Sequence, residues 1–186
     1  MSIVSEILDH NAAFVERKEY EAFRTTMFPD KRLVVLTCMD TRLTELLPRA
    51  MNLRNGDAKI IKNAGAIVSH PFGSVMRSIL VAVYELDAVE VVVVGHYGCG
   101  MTGLSCARVL EKVRARNIPE QTLDTLRNAG VDLDRWLRGF EHVETAVRES
   151  VDMIRNHPLL PSDVRVHGML MHSDTGKLDM LTQGYA

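Results

Sequence analysis

Val89 to Gly103 reads VEVVVVGHYGCGMTG, and this stretch decides the fold. Val89, Val91, Val92, Val93 and Val94 make a strand that is apolar on both faces. Such a strand belongs in the middle of a parallel sheet covered by helices, because a strand with one wet face would alternate. Gly95 breaks the run, and His96 and Cys99 follow at once. Open α/β sheets put their chemistry outside the carboxyl ends of central strands. The pattern therefore sets one imidazole and one thiol at an active-site position.

The flanking segments extend the same architecture. Arg32 to Cys38 (RLVVLTC) is short, β-branched and apolar, a second central strand. It runs into Cys38-Met39-Asp40-Thr41-Arg42. If that segment stays extended, Cys38, Asp40 and Arg42 project to one side and Met39 and Thr41 to the other. Thr44 to Met51 reads as a helix despite Pro48, and Asn55-Gly56-Asp57 as a turn. Ala58 to Asn63 is a further strand, followed by Ala64-Gly65-Ala66. Ser69-His70-Pro71 opens a helix, since proline suits a first turn. Val75, Ile79, Leu80, Val83 and Leu86 give that helix a buried stripe leading into Val89. Strand, helix, strand, helix, strand in this order predicts right-handed parallel crossovers.

Downstream of Gly103, Leu104 to Arg116 and Glu120 to Asn128 read as helices. Phe140 to Asn156 reads as a longer one, with Phe140, Val143, Val147, Val151 and Ile154 on one side, stopped by His157-Pro158. Val164 to Met171 is a late strand, Ser173-Asp174-Thr175-Gly176 a hairpin turn, and Lys177 to Leu181 the returning strand. At the amino end, Ser2 to about Phe23 has helical spacing, with Ile3, Ile7, Leu8, Phe14 and Val15 near one side. The fold expected is a single α/β domain over residues 1–186, with a mostly parallel central sheet flanked by helices, a C-terminal edge hairpin and an N-terminal helical arm over residues 1–30. The arm's apolar stripe must lie on something, and a second subunit is one candidate.

Composition removes several function classes. A net charge of −2 over 186 residues gives no sign of nucleic-acid or membrane binding. No apolar run approaches the roughly 20 residues that cross a bilayer. The first twenty residues are polar and acidic early on, unlike a signal peptide. Three cysteines, an odd count, argue for a reducing cytoplasm and against a disulfide framework.

Two chemistries compete at the central strand. Gly98-Cys99-Gly100-Met101-Thr102-Gly103 matches the dinucleotide pattern G-x-G-x-x-G. That pattern also needs a second strand about 20 residues later, ending in an acidic residue for the ribose. The downstream sequence is helical throughout, so a nucleotide site is not expected. A zinc site fits better. His96 and Cys99 end one strand and Cys38 ends a candidate neighbour. Two thiolates and one imidazole fill three of the four positions zinc prefers, and three plus an open position is the catalytic arrangement. Any one of the three alone reads as a buried core residue. All three at strand ends, with Asp40 and Arg42 beside them, do not.

Cys38-x-Asp40-x-Arg42 followed by His96-x-x-Cys99-Gly100 resembles the β-class carbonic anhydrase signature. Lys62-Asn63-Ala64-Gly65 is similar to that family's intervening Asn-Ala-Gly segment. Val166-His167-Gly168 with Thr175-Gly176-Lys177-Leu178 resembles its closing hairpin. The likeness spans most of the chain and is nearest to the short, single-domain branch. Gly98 departs from the Asp that many members carry there; that position is no metal ligand. The stretch from Asp124 to Gly139 carries no pattern of the family.

The resemblance implies one zinc ion per subunit and reversible hydration of carbon dioxide to bicarbonate and a proton, by attack of zinc-bound hydroxide. Cys38, His96 and Cys99 are the metal ligands, Asp40 and Arg42 the catalytic pair. Asp40 accepts a hydrogen bond from the hydroxyl, and Arg42 keeps Asp40 ionised and oriented. In some members the Asp swings onto the metal instead. Members assemble as dimers or higher homo-oligomers with the pocket at the subunit boundary. Ile67, Val68, Phe72 and Tyr84 are candidates for the pocket wall, though plain core is the commoner role for such residues. His70, His142, His157, His167 and His172 are the candidate proton shuttles, without a choice among them. Cys106 reads as a buried helix cysteine. Arg108, Arg114 and Arg116 read as a solvated helix face. The alternatives are a carbonyl sulfide or carbon disulfide hydrolase on the same scaffold, and a non-enzymatic zinc protein, for which Asp40 and Arg42 would have no use.

Overall fold

The computed structural model describes residues 2–185. Its sheet has five strands: β1 (Leu33–Cys38), β2 (Ala58–Asn63), β3 (Glu90–His96), β4 (Arg165–Met171) and β5 (Leu178–Thr182), in the spatial order β2-β1-β3-β4-β5. The first four are parallel and β5 returns antiparallel to β4, as the hairpin turn requires. β1 and β3 are neighbours, with Thr37 opposite Val94, so both signature strands end side by side.

The valine run explains the layers. Successive side chains of a strand point to opposite faces. Val91 and Val93 therefore join Val34, Leu36 and Leu170 on one face. There they meet Met76 and Ile79 of α3 (Ser74–Glu85) and Val147, Val151 and Ile154 of α7 (Val143–Arg155). Val92 and Val94 join Val35 and Met171 on the other face, under Leu43 and Leu47 of α2 (Leu43–Ala50). Cys38 and Cys99 belong to this second cluster. Gly95 allows α7 to approach β3, since a Cβ there would lie 2.7 Å from Val147 Cγ2.

Several boundaries differ from expectation. The N-terminal helix is not continuous to Phe23. α1 spans Ile3–Glu16, opened by a reciprocal Ser2/Ser5 capping box, and a separate 3-10 turn covers Glu19–Phe23. Lys18 sits between them with a left-handed φ of 57°, which breaks the hydrogen-bond ladder. α3 does not begin at Ser69-His70-Pro71. His70 to Gly73 form a turn closed by Gly73 N–H donating to His70 O, and Gly73 caps the helix. α7 starts at Val143, because Phe140 is drawn into a short parallel bridge with Thr102.

The segment after Gly103 holds α4 (Cys106–Ala115), α5 (Glu120–Asn128) and an unanticipated α6 (Leu133–Leu137). Asp132 caps α6 by accepting from Arg135 N–H. Cys106, Leu110, Leu123 and Leu133 form a small core of their own. Cys106 is buried in α4, as expected, and Arg114 lies on a wet face paired with Glu120. Among the described residues no helix is long and apolar enough to cross a membrane.

Candidate metal centre

β1 delivers Cys38 as its last residue and β3 delivers His96 as its last. The turn after β3 brings Cys99 back over the strand ends. Cys38 Sγ and Cys99 Sγ lie 3.8 Å apart, and the ligand atoms of Cys38, His96 and Cys99 all fall within 4.8 Å of one another. All three residues are buried, none more than 5% exposed. Among the described residues this is the only group of three or more His, Cys, Asp or Glu side chains so gathered.

The imidazole decides what the group can do. His96 Nδ1 is 3.0 Å from Tyr97 O, a carbonyl that can only accept. Nδ1 therefore carries the proton and Nε2 presents its lone pair. That Nε2 is buried and has no hydrogen-bond partner. A buried polar atom left unpaired costs on the order of 1–3 kcal/mol, so it calls for an explanation. A cation between it and the sulfurs supplies one. A tetrahedral ion with metal–sulfur bonds of about 2.3 Å spaces two sulfurs by about 3.8 Å, so the donor set and its spacing suit zinc.

The protein's own electrostatics prepare these donors. The thiol of Cys99 donates toward Cys38, which lowers the pKa of Cys38 and raises that of Cys99. Burial opposes ionisation at both sulfurs. Backbone N–H groups of Gly65 and Asp40 also favour the Cys38 thiolate. The negative charge of the adjacent Cys38 sulfur raises the pKa of His96 against the effect of burial. Binding a divalent cation would displace the protons held among the three groups.

Asp40 and Arg42 are brought to this cluster by a different local structure from the one expected. The chain does not stay extended past Cys38. It turns at once, with Leu43 N–H donating to Asp40 O at 3.1 Å, because α2 begins there. Asp40 and Arg42 meet through this turn: Arg42 N and Nε donate to Asp40 Oδ1, both at 3.0 Å, and Nη2 donates to Oδ2 at 2.8 Å. The Arg42 contacts hold the Asp40 carboxyl well below the usual carboxylate range. Asp40 Oδ2 lies 3.8 Å from His96 Nε2, so the carboxylate faces the Cys-His-Cys cluster.

A cavity of about 510 Å³ opens above the cluster between Met39, Asp40, Ala64, Gly100 and Met101. Ile67, Val68, Phe72 and Tyr84 do not line it. The backbone reverses at Gly65 and Ala66, both with positive φ, and carries Val68 to the opposite core, where its N–H meets Ser150 Oγ. Phe72 is exposed beside His157, and the Tyr84 hydroxyl donates to Leu159 O. Asn63 shapes the loop from below: its side chain brackets Ile67 by accepting from its N–H and donating to its carbonyl. Residues missed at the sequence level are Met39 and Met101 on the cavity wall and Ser173, which accepts from Arg42 Nη1. Of the candidate shuttles, His172 packs at a tilt against Tyr97, while His157 and His167 are buried.

A family model described as carbonic anhydrase matches residues 33–178. The Bacillus subtilis (strain 168) protein named "Putative carbonic anhydrase YvdA" is 60% identical over 185 residues, spanning 100% of this chain and 94% of that protein. A carbon disulfide hydrolase of Acidianus sp. (strain A1-3) is 30% identical over 189 residues, spanning 95% of this chain and 89% of the hydrolase. The crystal structure of β-carbonic anhydrase isoform I from Trichomonas vaginalis superimposes with a TM-score of 0.91 at 31% identity, covering all of both chains.

Proposed function

Because the chain belongs to the β-carbonic anhydrase family, we propose that it catalyses the reversible hydration of carbon dioxide to bicarbonate and a proton, with one zinc ion held by Cys38, His96 and Cys99. The unpartnered, buried Nε2 of His96 beside two sulfurs carries this reading. Zinc, when bound, supplies Lewis acidity that acidifies a water at its open position.

The remaining chemistry falls to the chain. Asp40 Oδ1 is occupied by two donors from Arg42, but Oδ2 takes only Nη2. Oδ2 keeps a lone pair on the side facing His96 Nε2. An ionised carboxylate only accepts, so a water or hydroxide beside it must direct its hydrogen at Oδ2 and its lone pair elsewhere, toward the substrate. Arg42 keeps Asp40 in that ionised state. Met39, Ala64 and Met101 present apolar atoms suited to a small linear molecule without a dipole. Thiolates from Cys38 and Cys99 would cancel the charge of a divalent ion, which places the working pH above the value of about 7 reached with three neutral histidines.

Hydrolysis of carbon disulfide or carbonyl sulfide is the second reading, favoured by the Acidianus relative. We further propose a cytoplasmic homodimer or larger homo-oligomer, supported by three free cysteines and by the uncovered apolar face of α1. Metal analysis with stopped-flow assays on the three substrates tests the set. The expected result is about one zinc per chain, carbon dioxide hydration that rises toward alkaline pH, and a loss of roughly 10²-fold in Asp40→Ala. Zinc with carbon disulfide turnover alone would install the second reading. A chain that binds no zinc would overturn both.

A further inference from the structure

We propose that Ser173, in the turn between β4 and β5, is a positioning residue that locks the Arg42 guanidinium, and through it Asp40, against the metal-binding cluster. The inference rests on the role proposed above for Asp40. Arg42 donates to three separate segments: to Asp40, to Gly98 O at 3.0 Å and, through Nη1, to Ser173 Oγ at 3.2 Å. The Asp40 contacts alone do not place the pair. Both residues sit in the tight turn between buried Cys38 and Leu43, and the paired side chains could still swing together on that backbone. The bidentate contact fixes the two groups to each other, but the Arg42 side chain is 46% exposed, so that contact does not by itself fix them to the rest of the cluster. What ties the paired side chains to the segments around His96 and Cys99 is the remaining two anchors.

Those anchors differ in stiffness. Gly98 lies in the turn between the two ligands, exposed and with a φ of +67°. Ser173 stands on a hairpin fixed from both sides. Gly176 in the same turn lies against α2 so closely that a Cβ there would be 3.2 Å from Ala50 Cβ and Leu46 Cδ1. Gly176 N–H donates to His172 O at 2.8 Å, and His172 Nε2 meets Asp179 Oδ2 across the hairpin at 2.8 Å. The His172 ring rests on Tyr97, 4.5 Å between centroids, and Tyr97 N–H donates to Met171 O. Ser173 Oγ is therefore a fixed acceptor aimed at the one guanidinium edge that Asp40 and Gly98 leave free.

The test uses Ser173→Ala and Ser173→Thr in the zinc-loaded full chain. Loss of the hydroxyl should lower kcat for carbon dioxide hydration by about fivefold with KM and zinc content unchanged, and Thr, which keeps the hydroxyl, should restore it. A second readout is independent of turnover: hydrogen exchange of the Arg42 Nε–H, followed by nitrogen-15 NMR and assigned by its loss in Arg42→Lys. It should accelerate about fivefold or more in Ser173→Ala and return to the original rate in Ser173→Thr. Unchanged exchange in Ser173→Ala would overturn the proposal, as would a kcat loss that Thr fails to restore. Should the unaltered protein lack carbon dioxide hydration, the functional reading fails, and the exchange rates still decide whether Ser173 holds Arg42.

Discussion

Cys38 and Cys99 are 61 residues apart in the chain, and their sulfurs lie 3.8 Å from each other as free thiols. Parallel pairing of β1 with β3 is what brings them together. Two buried sulfurs crowded beside an unpaired imidazole nitrogen form an arrangement a cation would relieve. Removing zinc with a chelator should therefore lower the melting temperature by roughly 5–15 °C, as expected when a ligand at 100 to 1,000 times its Kd is withdrawn. Cys38→Ser should bring the zinc content from about one per chain to near zero. Full zinc occupancy in that variant, by mass spectrometry under native conditions, would remove Cys38 from the ligand set.

A second prediction concerns how α7 lies on the sheet. A Cβ on Gly95 would sit 2.7 Å from Val147 Cγ2, 3.0 Å from Val143 Cγ2 and 3.1 Å from Leu170 Cδ2. Gly95→Ala should cost about 1–3 kcal/mol of stability in denaturant titration, the usual penalty of overpacking. Adding Val147→Ala opens the space the new methyl needs, so the double variant should be more stable than additivity of the two single losses predicts. Strict additivity would mean that the helix yields without strain.

What the sequence made legible, and what it did not, follows the range of the interactions. The valine run set the central strand because burial on both faces leaves a local pattern, and the candidate ligands His96 and Cys99 were readable because they follow its end directly. The pairing of Asp40 with Arg42 was anticipated from an extended strand, yet the structure makes it through the turn into α2. Two residues apart, the two side chains can meet in either geometry, so the residues were identifiable and their backbone was not. Ser173 lies 131 positions from Arg42 and carries no local signal at all. Val68 lies off the cavity wall of its own chain because Gly65 and Ala66, both at positive φ, redirect the backbone toward the opposite core.

His167 provides a pH dependence away from the metal centre. It is 3% exposed, and burial lowers its pKa, with Arg155 acting in the same direction and Glu90, 3.5 Å away, opposing them. Nδ1 accepts from Gly184 N–H, so the neutral ring holds the C-terminal segment, and Tyr185 packs on it while donating to Glu90. A lowered folded-state value means the unfolded chain binds the proton first. Stability contributed here is complete above the ordinary histidine value of about 6.5 and is lost as pH falls from there toward the folded value. His167→Gln should flatten that part of the stability curve of the metal-free protein. An unchanged slope between about pH 6.5 and 5 would assign the acid sensitivity to other groups.

The N-terminal arm gives the last prediction. α1 buries none of its residues: Ile3 is 69% exposed, Val4 60%, Ile7 58% and Leu8 62%. Its capping box and helical spacing specify a helix, but a helix of fourteen residues is marginal in water without packing. An apolar face of this size, left open, marks an interaction surface, and a second copy of the chain is the partner proposed here. Each Ile or Leu fully buried is worth about 1.5–3 kcal/mol, so replacing Ile7 and Leu8 with Glu should weaken association by more than about 10²-fold. Sedimentation velocity at micromolar concentration should show an oligomer for the unaltered chain and a monomer for Ile7→Glu/Leu8→Glu. An unaltered chain that sediments only as a monomer would leave α1 without a partner and remove the oligomer from the proposal.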